Sequence, residues 1–115
     1  MSVHIKRIYE PADKHDGKRI LVDRLWPRGI AKNDAHVDVW LKDIAPSPDL
    51  RRWFGHDPNK WDEFRRRYRD ELKKNCKAVM ELKDQIGHQT ATLLYGAKDS
   101  EHNHALVLMD FITGQ

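Results

Sequence analysis

One cysteine in 115 residues, Cys76, excludes an internal disulfide. Long apolar runs are missing too. Nothing approaches the roughly 20 residues of a membrane span. The opening stretch, Met1 to Arg7, alternates polar and apolar residues instead of building the apolar core of a signal peptide. A cytoplasmic location with no membrane partner is the default expectation. An excess of one charge is absent: 21 basic residues face 18 acidic ones, so the net charge is only +3. That balance permits phosphate or nucleic-acid binding without requiring it. Familiar catalytic signatures are also lacking. There is no GxGxxG, Walker loop, GxSxG, HExxH or CxxC, and no motif assigns a cofactor. Internal repeats, low-complexity tracts and linkers are absent.

What is present fits one folded unit. The length suits a single domain over residues 1–115. A hydrophobic fraction of 39% beside 34% charged residues argues for a packed core under a well-solvated surface rather than a disordered chain.

Val3 to Tyr9 alternates as a strand, with Val3 and Ile5 on one face and His4 and Lys6 on the other. Glu10 to Lys18, with Pro11, Asp13, Asp16 and Gly17, is a loop too short for a helical crossover, so spacing leaves the direction of the next strand open. Arg19 to Arg24 is that strand, and its consecutive Ile20-Leu21-Val22 predicts cover on both faces. Trp26-Pro27-Arg28-Gly29 ends it. Asp38 to Ile44 fits either a short helix or an irregular strand. Ser47 before Pro48 predicts a capped helix running to about Phe54. Asp57-Pro58 is a second start of the same kind. From there Trp61, Phe64, Tyr68, Leu72, Cys76, Val79 and Ile86 mark one helical face. Unbroken to Ile86, that helix would measure about 43 Å, longer than a small domain, so a break is expected near Lys73 to Cys76. Gly87 caps its end. Thr90 to Ala97 is the last strand, buried at Leu93-Leu94, and His102 to about Ile112 is the closing helix. Three strands and three or four helices predict an α/β layered fold with a short, mostly parallel sheet flanked by helices.

In open α/β sheets ligands collect at the carboxyl ends of the strands. Two strands here end in polar clusters: Asp23-Arg24 with Arg28, and Tyr95 with Lys98 to His104. If those strands are parallel neighbours, the clusters converge. Arg24 and Arg28 would then grip a phosphate or carboxylate through paired guanidinium donors. Asp23 orients Arg24 or accepts a proton; a structural Asp–Arg pair at the turn is the even alternative. Trp26 stacks on a planar ligand or, more in keeping with large aromatics, plugs the core. His102-Asn103-His104 opens the last helix, where free N–H groups favour an anion and a neutral histidine suits a general base. Two histidines at this spacing on a helix diverge by about 200° and do not easily share a metal, so no metal ligands are assigned. Tyr95 offers a hydroxyl to the same cleft, with a half-buried strand tyrosine as the commoner role. Cys76, on the apolar helix face, is expected to be an inert core thiol. Arg65-Arg66-Arg67-Tyr68-Arg69 suggests a nucleic-acid patch, yet Glu63, Asp70 and Glu71 stand at i,i+4 to its arginines and favour a salt-bridged, solvated face.

Four motifs in chain order, Leu21-Val22-Asp23-Arg24-Leu25-Trp26-Pro27-Arg28-Gly29, Ala45-Pro46-Ser47 with Leu50-Arg51, Thr92-Leu93-Leu94-Tyr95, and Asn103-His104-Ala105-Leu106-Val107-Leu108, resemble the YeaO-like family of small bacterial proteins, a domain of unknown function. The resemblance spans nearly the whole chain. It implies one cytoplasmic α/β domain and brings no established activity. Longer members of the wider group carry a Cys and a Cys-His-Arg near the last strand and helix. Tyr95 and Asn103-His104 stand in those places here, so the resemblance does not carry thiol or metal chemistry over to this chain.

Two functions of different class follow. One is an enzyme or ligand-binding domain for a small anion, phosphate- or nucleotide-like. Its catalytic groups would be Asp23, Arg24 and His104, with Trp26, Arg28, Tyr95, Lys98 and Asn103 on the ligand. The other is a non-catalytic nucleic-acid-binding or regulatory module that uses the basic helix at residues 65–69.

Overall fold

The computed structural model describes residues 2–114, and Met1 and Gln115 lie outside them. Four strands, β1 (Ser2–Arg7), β2 (Lys18–Leu21), β3 (Val39–Trp40) and β4 (Thr90–Tyr95), form one sheet in the order β1-β4-β2-β3. Every pairing is parallel. The open question of direction is thereby answered: β2 runs with β1. Its short connection suffices because it skips one place in the sheet and leaves room for β4 between.

That connection is built on a single 3-10 turn at Lys14–Asp16, held by a reciprocal cap between Asp13 and Asp16. Asp16 binds Lys6 at 3.1 Å and the buried Arg19. Burial alone would push its carboxyl up, but the Asp13 backbone N–H, Lys6 and Arg19 together hold it below the usual carboxylate range. Gly17 follows at φ 64°, where a Cβ would lie 2.2 Å from the Thr90 carbonyl oxygen.

The two consecutive apolar runs belong to the two inner strands. Ile20, Leu21, Val22, Leu93 and Leu94 are all fully buried, as expected of strands packed on both faces. On one face Ile20, Leu93, Val3 and Ile5 meet four helices: α2 (Pro48–Phe54), α3 (Trp61–Lys74), α4 (Cys76–Ile86) and α5 (His104–Thr113). On the other face Leu21, Leu94 and Ile8 meet Trp26, Ile30, Val37, Trp40 and Ala35, the last from the four-residue helix α1 (Lys32–Ala35).

The helix boundaries follow their capping chemistry. Ser47 Oγ accepts from Leu50 N at the start of α2. Asp57 accepts from Asn59 N and caps a 3-10 turn that leads into α3. The long helix breaks at Asn75, consistent with molecular extents of 35 × 30 × 20 Å. The break falls within the expected Lys73 to Cys76, and the apolar stripe continues past it at Val79 and Ile86. Phe64, Tyr68 and Leu72 are buried as the periodicity predicts, while α4 buries Ala78, Val79, Leu82 and Ile86 and leaves Cys76 exposed. Cys76 is therefore a surface thiol and not a core one. Relative to the expected count, the structure adds β3 in the ambiguous Asp38–Ile44 stretch, a further 3-10 turn at Lys42–Ile44, and α1.

Candidate functional site

Because β2 and β4 are paired and parallel, their carboxyl ends lie side by side, with Val22 N donating to Leu94 O at 3.1 Å. Gly96, just past β4, donates its N–H to Asp23 Oδ2 at 2.9 Å. The approach is close: a Cβ on Gly96 would lie 3.0 Å from that oxygen and 3.2 Å from Pro27 Cβ. The two polar clusters of the sequence thus converge on each other.

α5 begins two residues later than its sequence suggests. Asp99 Oδ1 accepts from Glu101 N and His102 N, which folds 99–102 into a turn. The Glu101 backbone N–H foremost, with help from His102, holds the Asp99 carboxyl below its ordinary range. Asn103 is the N-cap: its Oδ1 accepts from Leu106 N at 3.0 Å and its Nδ2 donates to Asp99 O. His104, the first helical residue, then projects back to the sheet. Its Nε2 lies 3.0 Å from Val22 O and 3.2 Å from Asp23 Oδ1. A carbonyl can only accept, so Nε2 carries the hydrogen in this contact. Asp23 Oδ1 is buried without an aligned hydrogen bond, so its contact with the imidazole is electrostatic.

Arg24 turns the other way. Its Nη2 donates to Ala45 O and Pro46 O at 3.2 and 3.3 Å, and its buried Nε has no partner among the described residues. Tyr68 supports the same loop from beneath, its hydroxyl donating to Ile44 O at 2.6 Å. Trp26 lines the cleft and packs edge-on against Trp40, with its indole N–H on Ile30 O. Arg28 is exposed at the rim, its carbonyl held by the Tyr9 hydroxyl at 2.5 Å.

These residues wall a cleft of about 410 Å³ that includes Asp23, Arg24, Trp26, Arg28, Gly96 and His104. Three further wall residues carried no role in the sequence: Tyr9, Arg51 and His56. Arg51 stands midway along α2 and His56 just beyond its Gly55 cap, where His56 adopts φ 57°, a conformation uncommon for a residue with a side chain. Proximity in the chain gives no sign of them; only the packing of α2 against α3 brings them over. Tyr95 and Lys98 stand apart from the wall. Tyr95 is in the core, 3% exposed, where burial pushes its phenol up, and Lys98 is exposed on the following loop. Asn103 lines an adjoining chamber with both ends of its amide engaged.

The basic stretch of α3 is largely neutralised. Glu63 takes Arg66 at 2.5 Å and Arg67 at 2.8 Å, and Arg66 also reaches Asp70 at 4.0 Å. Glu71 pairs with Ser47 and not with Arg67, accepting from its N at 2.9 Å. Arg65 is exposed and Arg69 half-buried. Among the described residues no group of three or more His, Cys, Asp or Glu is arranged to hold a metal, and no helix is long and apolar enough to cross a membrane.

Fold and cleft together define a small parallel α/β protein with an arginine-rimmed pocket at its strand ends. Over residues 2–115 the chain matches the family described as the inactive DUF488-N3 subclade, and it belongs to that family. It is 46% identical over 112 residues to the uncharacterized protein YeaO of Escherichia coli K12, covering 97% of each chain. It is 42% identical over 113 residues to an uncharacterized protein of Mycobacterium tuberculosis H37Rv, covering 98% of this chain and 95% of the other. No solved structure matches.

Proposed function

We propose that this chain, acting as one domain, binds a small anionic ligand, phosphate- or carboxylate-bearing, at the carboxyl ends of β2 and β4. The observation that carries this reading is the charge imbalance of the cleft. Arg24, Arg28 and Arg51 line it with His56 and His104, and Asp23 is the one carboxylate in its wall. Asp23 is already engaged by Gly96 and His104, so the guanidinium groups keep donors for a ligand. Arg28 and Arg51 form no ion pair among the described residues, whereas the arginines of α3 do. This contrast favours the cleft over the basic helix as the anion site, and with it a small ligand over nucleic acid.

A catalytic version has one observation of its own: the Asp23–His104 pair, with Asp23 as the orienting group. The family's description as inactive favours binding without turnover.

The test is thermal unfolding at low salt with inorganic phosphate titrated in. A ligand that binds only the folded state adds about 2.7 kcal/mol at one hundred times its Kd. Wild type should gain stability with phosphate. Arg28→Ala should lose that gain while its unliganded melting temperature stays nearly unchanged, since an exposed arginine contributes little to stability. A wild type indifferent to phosphate overturns the proposal. An Arg28→Ala variant that unfolds yet keeps the wild-type response would make Arg28 a structural residue.

A further inference from the structure

The strand-end cleft does not stop at its arginines. It shares Pro46, Arg51, His56, Ala97 and His104 with an adjoining chamber of about 360 Å³ that runs between α2, α3 and α5. The chamber is different in kind. Its floor is made by Phe54 and Phe64, 5% and 2% exposed, whose rings stack with centroids 4.2 Å apart. Pro46 and Pro48 close one side. Asn103 in the wall has its amide committed at both ends, to Leu106 N and to Asp99 O. The stacked rings and the two prolines give the chamber an apolar side, and an apolar space of about 150 Å³ is enough for a benzene molecule. Arg51, Arg52, His56, Ala97 and His104 make up the rest of the wall. Arg52 is ion-paired with Asp49, and Arg51 stands where the chamber opens into the cleft.

The geometry points to an amphipathic anion as the ligand: a compact aromatic or branched apolar group seated in the chamber, joined by a short link to a phosphate or carboxylate held at Arg51 and Arg28. This inference rests on the anion-binding reading of the same cleft and adds the apolar half. The charge pattern requires both halves in one molecule. A bare anion leaves the chamber wet, and a neutral ring leaves the guanidinium groups without a counter-charge.

The experiment is a ¹H–¹⁵N NMR titration of the full chain with three probes: phenyl phosphate, inorganic phosphate and phenol. Phenyl phosphate should bind about tenfold or more tighter than inorganic phosphate, because burial of one ring's apolar surface is worth at least that factor. It should shift the amides of Phe54, Phe64 and Ala97 as well as those of Arg28 and Gly96, whereas inorganic phosphate should shift only the latter pair. Phenol should bind far more weakly than phenyl phosphate. Equal affinity for the two phosphates, with shifts confined to Arg28 and Gly96, overturns the chamber while leaving the anion site standing. Phenol binding as tightly as phenyl phosphate removes the coupling between ring and charge, and overturns the proposal from the other side. If neither phosphate binds, the anion reading falls and this inference falls with it.

Discussion

Replacing Tyr68 by Phe removes one oxygen from beneath the cleft and tests how the site is supported. The phenol is 1% exposed and donates to Ile44 O at 2.6 Å. The residues after Ile44 carry the two carbonyls that hold Arg24. Loss of the hydroxyl leaves a buried carbonyl unsatisfied, which costs about 1–3 kcal/mol. For a chain of this size the melting temperature should fall by roughly 4–12 °C. Burial also pushes the Tyr68 phenol well above its ordinary value, which adds a pH signature. The folded protein favours the protonated phenol, so the stability linked to this group is complete below the unfolded tyrosine value near 10 and declines as pH rises above it. Chemical unfolding of both proteins at pH 8 and at pH 10.5 reads both effects: the wild-type advantage should be full at the lower pH and smaller at the higher. Indistinguishable stabilities at pH 8 would mean that the hydroxyl is not satisfying Ile44 in solution, and the support assigned to Arg24 would go with it.

Phe64→Ala opens the centre of the aromatic stack and should cost about 3–5 kcal/mol in equilibrium unfolding; a change near zero would mean that the opposite face of α3 is inward. Gly96→Ala should cost about 1–3 kcal/mol by overpacking against Asp23 and Pro27, and should weaken the phosphate response in the thermal assay. Gly17→Ala, with a positive φ and the Thr90 carbonyl in the way, should cost at least about 3 kcal/mol; an ordinary melting temperature would refute that close approach. The low Asp99 carboxyl means that its stabilising effect is present above the ordinary carboxylate range and is lost as pH falls through the folded value. Asp99→Asn should therefore differ from wild type more at pH 6 than at pH 3, as measured by urea unfolding.

The sheet was most legible where burial left a sequence mark. The unbroken apolar runs at Ile20-Leu21-Val22 and Leu93-Leu94 identified the doubly covered strands, and these turned out to be the two inner ones. The edge strand β3, two residues long, is too short to carry a period of its own. Helix ends were legible through Ser47, Asp57 and Gly87, whose effect is local. The break near Lys73 to Cys76 was legible from length alone, and Val79 and Ile86 of the apolar stripe are buried beyond it; Cys76 was misplaced because it is the first residue after the break, where the helical pattern restarts. Convergence of Asp23 with His104 followed from strand ends being neighbours. Arg51 and His56 had no such signal, since their place in the cleft depends on how α2 lies on α3 and on nothing within their own stretch of chain.

The strand order has a consequence for how the protein is made. Ser2 pairs with Thr90 and Lys18 with Ala91, so the middle of the sheet is supplied by the last strand to leave the ribosome. Until β4 emerges, β1 and β2 have no strand between them, and the nascent chain has the short β2–β3 pairing, Ile20 with Val39 and Leu21 with Trp40, but not the centre of its sheet. Closing the long loops to β4 before the sheet can be completed slows folding relative to a helical bundle of the same size. A stalled or truncated chain ending before β4 would display two apolar strands with open edges, which is a template for aggregation. The segment that supplies the middle of the sheet also carries Gly96, Ala97 and His104 of the cleft wall, so core and site are completed together.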